Sequence, residues 1–319
     1  MMKTTHPRAL RATALTLLVG LLLAACGTSR IVPISGRKQR VSASYNDGQM
    51  LALGSQYYAE YLSQSKISTD KAATEMVRRV GTRLAAAVET YLTHNGYADE
   101  VPYYRWEFNL VADPQVNAFC MPGGKIVVYE GILPVTQTEA ALAVVLGHEI
   151  AHAVAKHSAE QNSKQQWQQI GMAVGQVGMQ AAGVSTDLSN LALQGSSTVL
   201  GLTNLAYSRK HELEADHVGL ILAAMAGYDP RVAPAFWQRM SAQSGGGGSD
   251  FLSTHPNDEK RIAQLEALMP EALRYYAPAA SGSSPAPATS SAQPTAPSAT
   301  PTTGGVKTVD FNSLRQRNF

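Results

Sequence analysis

Apolar side chains recur at three- and four-residue intervals over Leu51–Leu62 and Asp70–Leu92, the spacing of helices that pack on one face. The second is predicted to open at a Ser68 or Thr69 cap and to close near Asn95-Gly96. The pattern then changes. Tyr104–Val111 (YRWEFNLV) and Lys125–Tyr129 (KIVVY) are β-rich and flank a stretch with Asp113-Pro114 and Pro122-Gly123-Gly124, which predicts strands of a small sheet. Helical spacing returns over Thr138–His157, with Glu139 in the first turn, and over Leu205–Ala226, which Gly227 stops. Helices, a small sheet and more helices, without βαβ alternation, predict an α+β fold.

The two ends of the chain fall outside this pattern. Ala12–Ala25 (ATALTLLVGLLLAA) follows Lys3, Arg8 and Arg11, is too short to span a bilayer and ends in small residues, so residues 1–25 read as a secretory signal. Leu23-Ala24-Ala25-Cys26 resembles the lipobox of bacterial lipoproteins, which makes Cys26 a candidate lipidation site and the mature N-terminus. Residues 26–44 are then expected to be a lipidated linker and 45–276 a single domain. Residues 277–319 are expected to be a disordered tail, because Ala277–Gly305 holds only Ala, Pro, Ser, Thr, Gly and Gln293.

Removing the signal also changes the charge. The full chain has 26 basic and 24 acidic residues, but the signal contributes three basic groups and no acid, so the mature chain is slightly acidic. A nucleic-acid partner therefore has no electrostatic footprint here. With Cys26 acylated, Cys120 is the only thiol, so an exported protein of this kind relies on its core or a metal rather than on a disulfide.

His148-Glu149-Ile150-Ala151-His152 is an HExxH motif on a helix otherwise made of Leu, Val, Ile and Ala. Residues four apart share a helix face, so both imidazoles can grip one Zn²⁺ with Glu149 beside it. Catalytic zinc takes three protein ligands, and the candidate third is Glu212 in the helix that follows Tyr207. Asp216, one turn on, shares its face and suits a hydrogen bond to a ligand imidazole. Glu214 is expected to point away as a solvated or structural carboxylate. His157, His211 and His217 lie off the ligand face and are expected at the surface or behind the ligands.

With these residues in hand, the chain resembles the HtpX and CAAX prenyl protease family of zinc metallopeptidases, the M48 class, and within it the periplasmic lipoproteins of the BepA and LoiP kind. The likeness runs from about Ile31 to Met269. It rests on Pro33-Ile34-Ser35-Gly36-Arg37, Asn117-Ala118-Phe119, Pro122-Gly123-Gly124, HExxH, Ser208-Arg209 with Glu212 to Asp216, and His255-Pro256 with Arg261-Ile262. The resemblance implies a mainly helical, zincin-like (gluzincin) domain with one zinc held by His148, His152 and Glu212, and Glu149 as general base. It also implies a zinc endopeptidase acting on misfolded or misassembled cell-envelope proteins from the periplasmic face of the outer membrane, with the outer-membrane assembly machinery as a possible partner. Gly27-Thr28-Ser29 has no acidic residue of the sort that resembles an inner-membrane retention signal. The alternative is a chaperone-like assembly lipoprotein whose zinc site is latched or structural; an intact Glu149 weighs against it.

Further expectations concern how the site works. Asn117–Phe119 or Lys125–Tyr129 is expected to offer an edge strand to an extended substrate. Gln161–Ala206, rich in Gly, Ala, Met and Gln, reads either as core helices or as a lid. His255 is expected at a helix entrance fixed by Pro256 and near the Gly245–Gly248 run, from where it approaches the open zinc position to stabilise the transition state or to hold the enzyme idle. Arg261 is expected to brace Glu212 or Asp216, or to donate to the oxyanion.

Overall fold

The structure is a computed structural model that describes residues 27–181, 207–243, 250–255 and 259–278; of 170–181, 243 and 250 it describes the backbone alone. The signal, Cys26, most of the glycine- and glutamine-rich stretch, Gly245–Gly248, Pro256 and nearly all of the tail lie outside the described residues.

The stretch expected as a linker is folded. Strands β1 (Gly27–Ile31) and β2 (Lys38–Ser42) pair antiparallel, Gly27 opposite Ser42 and Ile31 opposite Lys38. The turn holds two left-handed residues, Ile34 with φ +68° and Gly36 with φ +67°, a conformation that costs nothing only at the glycine. Val32, Gln39 and Val41 are buried, so one edge of this hairpin belongs to the core. Polar composition hid it, because only alternate residues of a two-stranded ribbon need to be apolar.

Helices α1 (Asp47–Gln64) and α2 (Lys71–His94) follow, α2 capped by Asp70, whose carboxylate accepts from the Ala73 N–H. The cap lies one residue after Thr69 and two after Ser68, the predicted candidates. The second sheet has the order β3 (Glu107–Val111), β5 (Lys125–Tyr129), β4 (Ala118–Met121), with β3–β5 parallel and β4–β5 antiparallel. Lys125–Tyr129 is therefore central, with both edges paired, and cannot offer an edge to a substrate. Ala118–Met121 is one of the two edge strands, β3 being the other.

Behind this sheet run α3 (Glu139–Val154) and α5 (Arg209–Met225), separated in sequence by α4 (His157–Ala181). Thr138 caps α3 and Ser208 caps α5, each side-chain oxygen accepting a backbone N–H of the first turn. Their crossing is very close. A Cβ at Gly219 would stand 2.7 Å from the Gly147 carbonyl carbon and the His148 nitrogen, so only glycine lets the backbones touch here. That contact sets Glu212 and Asp216 of α5 against His148 of α3. Helices α6 (Ala233–Gln243), α7 (Asp250–Thr254) and α8 (Glu259–Tyr275) close the far side with Phe236, Trp237, Phe251 and Leu265, all buried. The architecture is α+β and mainly helical, as the spacing predicts.

Candidate metal centre

His148, His152, Glu212 and His255 present one donor atom each, all within 4.8 Å of one another and all buried. His148 Nε2 lies 3.1 Å from His152 Nε2, 3.4 Å from Glu212 Oε2 and 3.3 Å from His255 Nδ1. His152 Nε2 is 3.5 Å from Glu212 Oε1, and His255 Nδ1 is 3.1 Å from the same oxygen. Donors bound at about 2.0–2.1 Å to a tetrahedral ion stand roughly 3.3 Å apart, so these spacings fit a cation of zinc's size and preference.

The charge of the cluster points the same way. Burial opposes protonation of His148, but Asp216 and Glu212 outweigh it and push the imidazole up to about 9. Burial also works against ionised Glu212, yet His255 and His148 hold its carboxyl well below the usual range. His152 is driven the other way, well below the ordinary histidine value, by burial and by the neighbouring imidazoles. A group of imidazoles that cannot all be protonated, facing an ionised carboxylate, suits a cation in place of protons.

Glu149 lies beside the cluster, its Oε1 buried, without a hydrogen bond, and 3.6 Å from His255 Nε2. Burial raises its pKa, while the Cys120 backbone N–H donates to its carboxylate. That amide is on the free edge of β4: Tyr129 donates to the Asn117 carbonyl at 3.1 Å, and the antiparallel alternation turns the Ala118 and Cys120 backbone groups away from β5. Strand β4 thus faces the Glu149 carboxylate.

Asp216 and Arg261 sit behind the ligands. Asp216 Oδ1 is 2.9 Å from His148 Nδ1, and Arg261 donates to both Asp216 oxygens at 2.7 Å while Nη1 lies 3.2 Å from Glu212 Oε2. Arg261 has no exposed surface and its guanidinium lies over Trp237, 4.2 Å from the ring centroid. It braces both carboxylates, one of the roles expected of it. His255 follows α7 rather than opening α8: its N–H donates to the Phe251 carbonyl at 2.8 Å and its ring stacks on Phe251.

Behind His152 one expectation fails and two resolve to one of their alternatives. The helix predicted to run to His157 ends at Val154, where Ala155 and Lys156 cap it and Lys156 takes φ +51°. This left-handed turn is held by the Lys156 ammonium, 2.7 Å from Asp47 and 3.2 Å from Glu100. It swings His157 back, so that His157 Nδ1 meets His152 Nδ1 at 2.9 Å instead of facing the opposite side. Glu214 does not point into solvent: its Oε2 is 2.9 Å from His157 Nε2 and accepts from Arg37 Nε at 2.6 Å, and Ser35 Oγ donates to Oε1. His211 is buried, stacked on His157. His217, paired with Glu271 at 3.0 Å and partly exposed, is a surface group as expected. The only sequence signal near this network was Ser35-Gly36-Arg37, given solely as part of the family likeness; its bonds to Glu214 span almost 180 residues.

A profile of peptidase family M48 matches residues 72–269. Mitochondrial metalloendopeptidase OMA1 of Schizosaccharomyces pombe is 38% identical over 246 residues, covering 76% of this chain and 66% of its own. The OMA1 metalloendopeptidase of Arabidopsis thaliana is 43% identical over 180 residues, 56% of this chain and 35% of its own. The beta-barrel assembly-enhancing protease of Escherichia coli is 26% identical over 219 residues, 68% of this chain and 43% of its own. The chain thus spans between about a third and two thirds of the length of these relatives.

Proposed function

Because the chain belongs to peptidase family M48, we propose that it is a zinc-dependent endopeptidase of the cell envelope. His148, His152 and Glu212 would hold the zinc, which would supply a Lewis acid for the scissile carbonyl and for the attacking water. The observation that carries the reading is Glu149: a buried carboxylate beside the donor cluster, its Oε1 without a hydrogen bond among the described residues and its pKa raised by burial, suits a group that takes the proton of the attacking water and delivers it to the leaving amine. An extended substrate adds to the outward Ala118 backbone groups and the Cys120 carbonyl as a further strand, which brings its peptide bond to the same carboxylate. His255 presents the fourth donor of the cluster. A structural or latched site in a chaperone-like lipoprotein has no use for an unpartnered Glu149.

Location and substrate form the finer part of the reading. The lipobox at Leu23–Cys26 supports export and a lipid anchor on the periplasmic face of the outer membrane, and the name of the Escherichia coli relative supports misassembled envelope proteins as substrates. The test of the chemistry is Glu149→Gln: the variant keeps one zinc per chain and loses cleavage of unfolded casein, and full activity would overturn the mechanism. The test of location is Cys26→Ser, which yields an unprocessed or soluble form; wild type recovered free in the periplasm would overturn the anchor.

A further inference from the structure

His152 is supported unlike any other residue of the cluster. Its Nε2 faces the donor atoms of His148 and Glu212, so its Nδ1 is the nitrogen left to carry a proton. That nitrogen meets His157 Nδ1 at 2.9 Å, and the opposite nitrogen of His157 meets Glu214 Oε2 at 2.9 Å. Only one set of donors satisfies both bonds: His152 Nδ1–H donates to His157 Nδ1, and His157 Nε2–H donates to the carboxylate. Glu214 is fixed in turn by Arg37 and Ser35 of the N-terminal hairpin, and Arg37 also bridges to Glu160 at 2.7 Å.

We propose that His157 and Glu214 are positioning residues of the metal centre, which lock His152 in its metal-binding tautomer and orientation through a histidine-to-histidine relay anchored on Arg37. The relay does for His152 what Asp216 does for His148, and it makes the N-terminal hairpin a part of the zinc site. The proposal rests on the zinc reading above.

The test measures zinc affinity by chelator competition, together with the visible spectrum of the cobalt-substituted protein and the thermal midpoint of the metal-free protein. His157→Leu and His157→Gln, which remove the acceptor at the Nδ1 position, are expected to lose about 10- to 100-fold in zinc affinity and to alter the cobalt spectrum. His157→Asn, whose side-chain oxygen stands where Nδ1 stood, recovers part of that loss. A residue that merely fills space would give the reverse order, since Gln fills more of the site than Asn, and that order or wild-type affinity in all three overturns the proposal. Where the His157 variants fail to fold, Glu214→Gln decides: it keeps the shape and an acceptor but loses the charge held by Arg37. Weaker zinc binding in Glu214→Gln supports the relay, and wild-type affinity overturns it. A wild-type protein that binds no zinc would instead overturn the metallopeptidase reading on which the relay depends.

Discussion

The two motif histidines lie one turn apart on a single helix, yet the supports behind them differ in depth and in exposure. His148 reaches Asp216 directly, and Asp216 is clamped by Arg261, which is wholly enclosed over Trp237. His152 reaches its carboxylate only through His157, and that carboxylate is held by Arg37, whose side chain keeps 15% exposure. Each ligand is therefore backed by a carboxylate and an arginine, but one set is core and the other lies under a surface hairpin. The contrast teaches that burial, not proximity to the metal, decides how much stability each support carries.

Arg261→Ala is the change that breaks the comparison most severely. It strands Asp216 and Glu212 as uncompensated buried charges, and a loss of about 3–5 kcal/mol in stability is expected. Chemical denaturation of the metal-free protein measures it. Gly219→Ala comes next: the added methyl meets backbone on the opposing helix at 2.7 Å, so α3 and α5 must separate, at about 1–3 kcal/mol and with weaker zinc binding through the His148 side. Unchanged affinity there would show that the helix crossing does not set the donor spacing. Arg37→Gln is expected to be milder, at roughly 1–2 kcal/mol, because water reaches part of the guanidinium and several hydrogen bonds to Glu214 and Glu160 can be replaced by solvent.

The smallest effect sharpens the contrast through pH. In the metal-free protein His148 is pushed up to about 9, from an ordinary value of about 6.5, so the stability it contributes is complete below pH 6.5 or so and is lost as pH rises through 9. Burial pushes His157 down to about 4, so the folded protein binds fewer protons than the unfolded chain, and its contribution is lost as pH falls from about 6.5 to about 4. Thermal midpoints of the metal-free protein across pH are expected to lose their alkaline decline in His148→Gln and part of their acid decline in His157→Gln. Slopes that match wild type in both variants would contradict these assignments.

What was legible in the sequence follows from the range over which each constraint acts. The HExxH face, Glu212 and Asp216 are set by helical periodicity within one helix each, so spacing alone aligned them. The α+β order was readable for the same reason. The helix end at Val154 was not legible because a single left-handed residue, Lys156, sets it, and the ammonium of that residue pairs with Asp47 and Glu100, contacts that no local pattern records. Of the two readings of Glu214, solvated or structural, the structural one holds; its partners, Ser35 and Arg37, stayed hidden because they belong to a hairpin with too few apolar residues to announce itself. The central place of Lys125–Tyr129 was hidden because strand order depends on pairings between segments, not on the composition of either.

The hairpin also has a mechanical consequence. Strand β1 begins at Gly27, one residue after the candidate lipidation site. A flexible leash of the 17 residues from 27 to 43 would let the domain wander over about 20–25 Å. Were Cys26 to carry a lipid, the paired strands would take those residues out of the leash and bring the domain nearer to the bilayer. An enzyme mounted in that way would sample a thinner slab of the compartment beside the membrane, and what it met would depend on how far a client protrudes from the surface.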